Sequence, residues 1–362
     1  MHRNQNVNVG HHAGPAVIHI VGARPQFIKL APVAQAFRDA RIPYRVVHTG
    51  QHYDYTMSEI HFDTLGLEEP DYSLGIGSSS HAKQTARMLE GIEDVLAAER
   101  PDLVLVYGDT NSTLAGALAA AKLKIRVGHI EAGVRSFDRN MPEEINRVLT
   151  DHVASYHFCP TENAVSLLAK EGISGILTGD VMYDALIRFS KSPVSHPYPP
   201  PFVLATIHRA ENTNDAERFR AIWKGIELIS REIPVIFPVH PRTKNLFPDI
   251  LRSGGNSLRL IEPVSYLTML AMVRDARCII TDSGGVQKEA FLLKSPCVTV
   301  RDVTEWPETV EAGANRLVET EPGKILEAFR SMAGFTAFGT DSPFGDGEAS
   351  RRIARFVLEN CS

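Results

Sequence analysis

Short apolar runs rich in Val, Ile and Leu alternate along this chain with longer segments whose apolar residues recur at helical spacing. AVIHIVGA, from Ala16 to Ala23, reads as a buried strand, and QFIKLAPVAQAFRDA after it reads as a helix. YRVVHTG is the next strand. The helix HAKQTARMLEGIEDVLAAE, from His81, brings Thr85, Met88, Leu89, Ile92, Val95 and Leu96 onto one stripe, and Pro101 stops it. DLVLVYGD, STLAGALAAAKL, IRVGHIEAG and PEEINRVLTDHVA continue the alternation of strand and helix. This rhythm predicts βαβ units, and hence a parallel sheet covered on both faces.

After GDVMYDALIRFSK the rhythm breaks at SPVSHPYPPP, where crowded prolines forbid a helix and mark an interdomain linker over residues 191–201. PFVLATIH restarts it, followed by IPVIFPVHP, SLRLIEPV, CIITDSGG and SPCVTVR. SRRIARFVLEN is a basic amphipathic helix, better suited to docking on a domain than to a membrane. The expected fold class is α/β: two doubly wound Rossmann-like domains, 16–190 and 202–345, with a cleft between them. The helix within 346–362 should return to the first domain. Ligands of such sheets gather at the carboxyl ends of strands. Residues 1–15 lack the apolar stretch of a leader and read as a frayed polar tail, in which His11 and His12 make only a weak metal contact.

Composition narrows the function classes. With 43% apolar and 22% charged residues in 362, a disordered or collagen-like chain is excluded. Thirty-eight basic against 43 acidic residues, a net charge of −5, argue against nucleic acid as the partner. Cys159, Cys278, Cys297 and Cys361 are widely spaced, which suits a reducing cytoplasm rather than a disulfide framework or a zinc ribbon. The carboxylates lack EF-hand spacing, so no metal site is expected. No apolar run approaches the roughly 20 residues a membrane span needs.

The candidate chemistry lies in the loops after strands. GARPQFIK places Arg24 and Lys29 at a helix start, where backbone amides also attract anions. GDTNST puts Asp109 at a strand end, although Asp109 or Asn111 could simply cap the next helix. HIEAGVRS repeats the arrangement with Glu131. In PEEINR, acids in the first turn suit the helix dipole, and Glu143 with Arg147 has the spacing of a plain intrahelical ion pair. Asp109, Glu131 and Glu143 nevertheless all arise from strand ends of one domain, and neighbouring carboxylates can divide acid and base work. In the second domain, ATIHRAEN offers His208 and Arg209, and FPVHPR offers His240 and Arg242. TDSGGVQKEA is the most specific anion feature: Ser283, Gly284 and Gly285 open a helix whose amides could hold a phosphate. Glu289, a turn and a half later, could reach a ribose diol.

GARPQFIKLAPV, HTGQHYD, YGDTNSTLAGALAA, GHIEAGVRS, MPEEINR, ATIHRAEN, PVHPR and TDSGGVQKEA occur in that order over nearly the whole chain. Together they resemble the non-hydrolysing UDP-N-acetylglucosamine 2-epimerase family, and not its hydrolysing branch. The resemblance implies a glycosyltransferase-B type fold and a homodimer in the cytoplasm. It also implies reversible C2 epimerisation of a UDP-2-acetamido sugar, for cell-surface polysaccharide precursors, without cofactor or metal. The implied route eliminates UDP to a 2-acetamidoglucal and adds it back. Asp109, Glu131 and Glu143 become the acid/base candidates, Arg24 and Lys29 lie by the diphosphate or sugar, and His208 assists the leaving diphosphate. Arg147 supports the carboxylates, while Arg209, Ser283, Gly284, Gly285 and Glu289 hold phosphates and ribose. A second UDP-N-acetylglucosamine as activator would involve Gln51 and His240, although Asp54 stands where a second glutamine is found. Trp306 replaces an Arg of the best-known branch, Val264 and Met269 replace a Gln and a Phe, and Gln26 replaces a Glu. These departures resemble the branch that includes UDP-2,3-diacetamido-glucuronate epimerases, which leaves that nucleotide as the alternative substrate. A glycosyltransferase would need a single dominant base, and a non-catalytic regulator would have lost a carboxylate; neither pattern is present.

Overall fold

A computed structural model describes residues 2–3, 16–50, 62, 65–190, 194–239, 241–247, 249–250, 257–339 and 341–361. The chain forms two compact units, one of residues 1–188 with 343–362, the other of 189–342.

The first unit runs β1 (His2–Arg3), β2 (Val17–Val21), α1 (Arg24–Asp39), β3 (Tyr44–His48), β4 (Tyr72–Ser73), α2 (His81–Glu99), β5 (Leu103–Tyr107), α3 (Asn111–Lys122), β6 (Arg126–Ile130), α4 (Pro142–Val153), β7 (Tyr156–Cys159), α5 (Glu162–Lys170), β8 (Ile176–Leu177) and α6 (Val181–Phe189). Its sheet has the order β1-β4-β3-β2-β5-β6-β7-β8, parallel throughout except for the β1–β4 pair. The second unit continues with β9 (Val203–Thr206), α7 (Ala210–Thr213), α8 (Ala216–Ser230), β10 (Val235–Pro238), α9 (Pro241–Leu246), β11 (Leu258–Ile261), α10 (Tyr266–Asp275), β12 (Cys278–Thr281), α11 (Gly284–Leu292), β13 (Cys297–Thr299), α12 (Pro307–Glu311), β14 (Asn315–Leu317) and α13 (Pro322–Met332). Its sheet, β11-β10-β9-β12-β13-β14, is wholly parallel. Each unit therefore reverses its winding between its first and fourth parallel strands, β2 and β5 in one and β9 and β12 in the other. That reversal is the Rossmann-like order, and it opens a crevice at the strands' carboxyl ends.

Burial explains the near-continuous apolar runs. All five residues of β2 and of β5 are buried, as strands covered on both faces require. The α2 helix occupies the span its periodicity predicts, with Met88, Ile92, Val95 and Leu96 in the core and Gln84 beneath its first turn. In the second unit Phe219, Trp223 and Ile226 of α8 pack on Val235 and Phe237 of β10.

The proline-rich stretch expected as a linker belongs to the second unit from residue 194 onward. His196 is buried against Phe202, and Tyr198 packs on the same apolar cluster, so the segment is held by its aromatic residues. The final helix, α14 (Ala349–Asn360), packs on the first unit, with Phe356 edge-on to Tyr156 and Phe158. Its N-terminal amides are capped across the chain by Asp184, which accepts from Ala349 and Ser350 at 3.2 and 2.6 Å. Most of the polar tail, Gln51, Asp54 and His240 lie outside the described residues; His2 and Arg3 pair with Tyr72 and Ser73. Among the described residues no helix is long and apolar enough to cross a membrane, and no cluster of three metal-ligating side chains occurs. The four cysteines are free and buried.

Candidate active site

The switch point of the first unit is built by Gln26. Its Oε1 accepts from the Gly22 and Ala23 amides at 2.7 and 3.0 Å, and its Nε2 donates to the Tyr107 carbonyl at 2.9 Å. An ionised carboxylate could accept from the first loop but could not donate to the second, which accounts for Gln rather than Glu here. Gly22 has no room for a side chain, since a Cβ would lie 2.0 Å from Thr49 Oγ1 and 2.2 Å from Ser112 Oγ. Arg24, half-buried, is the first residue of α1. A cation there opposes the helix dipole, so its place serves something other than helix stability.

Lys29, one turn further on, meets Glu131 at the end of β6, with Nζ 2.5 Å from Oε1 and both side chains 9% exposed. Gly108 makes the space: a Cβ there would come 3.0 Å from Lys29 Nζ and 3.3 Å from Glu131 Oε1. Glu131 itself sits at φ +73°, a conformation uncommon for Glu that costs about 1–3 kcal/mol.

Asp109 follows Gly108 and is partly exposed. Neither it nor Asn111 caps α3; Thr110 does, accepting from the Thr113 amide, while Asn111 bonds Gln84 and Asn146. The plain Glu143–Arg147 pair is also absent. Arg147 donates instead to Glu144, 2.8 Å away, and to the Asp109 carboxylate. Glu144 wins because it is buried where the Ser136 amide and hydroxyl and the Phe137 amide donate to it, each at 2.9 Å. Glu143 is half-buried, and its carboxylate makes no hydrogen bond or ion pair among the described residues.

In the second unit, Asp282 is fully buried and binds the loop after β9. It accepts from the amides of His208 and Arg209 at 3.1 and 2.9 Å and from Asn212 Nδ2 at 3.0 Å. His208 thereby presents a side chain 40% exposed, its Nδ1 3.6 Å from Asp282 Oδ1. Arg209 donates to Glu305 at 3.2 Å, and Glu305 is held at 2.7 Å by buried Arg301. Ser283 caps α11 by accepting from the Val286 amide. The Gly284 and Gly285 amides lie in the first helical turn, where no intrahelical carbonyl is available to them. Glu289 and Lys288 are buried on α11, and Lys288 Nζ lies 3.9 Å from the Trp306 ring centroid, a cation–π contact. Val264 and Met269 pack on the cluster that contains Phe202 and Leu204.

Asp282, Glu305, Arg301 and Glu144 are residues whose part in these contacts sequence reasoning missed. Each acts through a partner distant in sequence or through a backbone amide. Asp282 alone carried a signal, as an acid inside the TDSGG turn.

Two Rossmann-like units, one with Asp109 and the Lys29–Glu131 pair at its strand ends and the other with a helix start after its fourth strand, place the chain in the doubly wound α/β class. Residues 35–358 match the family UDP-N-acetylglucosamine 2-epimerase. The chain belongs to that family, and its activity is of the epimerase type. A UDP-N-acetylglucosamine 2-epimerase homolog of Methanococcus maripaludis is 49% identical over 95% of this chain and 99% of its own. The UDP-2,3-diacetamido-2,3-dideoxy-D-glucuronate 2-epimerase of Pseudomonas aeruginosa is 47% identical over 95% and 99%. The crystal structure of Methanocaldococcus jannaschii UDP-GlcNAc 2-epimerase with UDP-GlcNAc and UDP is 44% identical, with a TM-score of 0.89, over 95% of this chain and all of that one.

Proposed function

We propose that the chain interconverts UDP-N-acetylglucosamine and UDP-N-acetylmannosamine. The observation that carries this is the set of three carboxylates in one unit, Asp109 and Glu131 at strand ends and Glu143 in the first turn of α4, the first two held by the cations Arg147 and Lys29. The obstacle is that the sugar's C2 hydrogen is not acidic, because no carbonyl is attached to C2. Elimination removes the obstacle. A carboxylate takes the C2 proton, the C–H electrons become the C1=C2 double bond, and the C1–O electrons leave with UDP. The bound 2-acetamidoglucal then receives a proton on the opposite face of C2, and UDP oxygen re-forms the bond to C1. Asp109, Glu131 and Glu143 supply the proton transfers. Arg24, His208 and Arg209 with the Gly284 and Gly285 amides stabilise the departing diphosphate. Glu289 holds the ribose. The product would feed cell-surface polysaccharide synthesis, and the enzyme would work as a homodimer.

Trp306 favours a second reading, the same inversion on UDP-2,3-diacetamido-glucuronate, since an aromatic replaces the cation expected of the other branch and a relative of that specificity is 47% identical. Proton NMR in deuterated water separates the two. Formation of the manno epimer with deuterium at C2 upholds the first reading. Turnover of the diacetamido uronate alone selects the second. Free sugar with UDP means hydrolysis and refutes both. Asp109→Asn and Glu131→Gln should each abolish turnover while UDP still binds; wild-type-like activity in both would remove the carboxylate assignment.

A further inference from the structure

His129 is fully buried in β6, and the proposed chemistry has no use for it. Its Nε2 lies 2.7 Å from the Gly108 carbonyl oxygen and its Nδ1 lies 2.6 Å from Asp151 Oδ1. A carbonyl oxygen only accepts, so Nε2 carries hydrogen. Asp151 Oδ2 in turn accepts from Arg135 at 2.6 Å and from the Gly133 amide at 3.1 Å, and Arg135 makes a two-pronged contact with Glu171, 2.9 Å on each side. Asp151 is thus a carboxylate held on one oxygen by Arg135 and Gly133 and meeting the His129 ring with the other.

This network ends at the glycines that flank both strand-end carboxylates. Gly133 is two residues after Glu131. Gly108 immediately precedes Asp109, and its missing side chain makes room for the Lys29–Glu131 pair. The Gly108 amide is already fixed, donating to Ile130 O at 2.9 Å, so His129 fixes the other half of the same residue. We propose that His129 is a positioning residue that acts through the Gly108 carbonyl, holding Asp109 and the Lys29–Glu131 pair in the geometry for proton transfer. The proposal rests on the epimerase reading.

Two substitutions separate the contacts of the ring. In His129→Asn the amide nitrogen falls near Nδ1 and keeps Asp151, but cannot reach Gly108. In His129→Gln it falls near Nε2 and keeps Gly108. With folding checked by circular dichroism melts, kcat of the Asn variant should drop about 100-fold, the effect of misplacing a reacting group by about 1 Å, with KM within about threefold. The Gln variant should stay within about tenfold of wild type. A purely structural role would lower both in proportion to the folded fraction. An Asn variant within threefold of wild-type kcat, or a folded Gln variant as impaired as Asn, overturns the proposal. If Asn does not fold, the Gln result decides alone. A wild-type enzyme inert on both UDP sugars overturns the epimerase reading, whereas an active one with insensitive variants overturns only the positioning role.

Discussion

Gly284 and Gly285 are adjacent in one motif, yet the structure gives them opposite responses to alanine. A Cβ on Gly284 would lie 2.0 Å from Glu305 Oε1 and 3.0 Å from its Cδ, whereas one on Gly285 would meet only Ser283 Oγ, at 3.9 Å. Glu305 cannot swing aside freely, because it is buried and held by Arg301 and Arg209. For Gly284→Ala, overpacking costs about 1–3 kcal/mol and a lost charged hydrogen bond about 1.5–3, offset by about 0.5–1 from removing a helical glycine, a net loss of roughly 2–5 kcal/mol. For Gly285→Ala only the last contribution remains, so stability should be unchanged or rise by up to about 1 kcal/mol. Both tryptophans, Trp223 and Trp306, lie in the second unit. Urea unfolding followed by tryptophan fluorescence therefore reads that unit alone. The Gly284 variant should lose midpoint and UDP affinity together, since its amide and Arg209 are displaced at once. Unfolding free energies that agree within about 0.5 kcal/mol would refute the claim that Glu305 is rigidly buttressed.

The remaining predictions concern the first unit. Asp184→Ala should uncap α14 and cost about 1–2 kcal/mol, read as faster amide exchange across Ala349–Asn360 with the β2 and β5 amides still protected; equal exchange would deny the cap. A hydrogen bond from Arg135 holds the Glu171 carboxyl below its ordinary 4.5, and at Asp151 burial is outweighed by His129 and Arg135, so that carboxyl lies below 3.8. Depressed carboxyls contribute stability that is present above their unfolded values and lost as pH falls through the folded ones. The stability gap between wild type and Glu171→Gln should therefore be open at about pH 7 and narrow as pH falls below 4.5; a gap that stays unchanged on acidification would contradict the pairing.

Much of the architecture was legible because burial on both faces of a parallel sheet forces continuous apolar runs. β2, β5 and β12 stand out for that reason, and α2 shows both its stripe and its ends. The strands that escaped, β1, β4, β7, β8 and β14, are two to four residues long. Their pairs Tyr72–Ser73 and Asn315–Arg316 carry no apolar pattern. Strand-end logic also located Asp109, Glu131 and the Ser283–Gly285 turn. What it could not supply were partners: Gln26 finds Tyr107 81 residues away, and the His208 amide finds Asp282 at 74. The choice between Glu143 and Glu144 was equally closed to it. Helix geometry allows Arg147 either neighbour, and the decision falls to the Ser136 and Phe137 amides, whose position depends on the loop before α4.

The two units use the same physical device at the same place. In each, the residue that follows the fourth parallel strand or lies shortly beyond it is a glycine, Gly108 or Gly284, and each leaves room for a buried carboxylate paired with a cation. In the first unit that carboxylate is Glu131, a proposed proton carrier; in the second it is Glu305, which holds Arg209 beside the open amides of α11. A side chain at either glycine would push the carboxylate off its cation, and the fold would then have to choose between strain and an unpaired buried charge. Gly284 is thus required less by backbone freedom than by the ion pair it accommodates, whereas Gly108, at φ +64°, answers to both. Gly284 makes this plain, because its backbone lies in an ordinary helical turn that alanine adopts without strain, so its intolerance of a side chain can come only from Glu305.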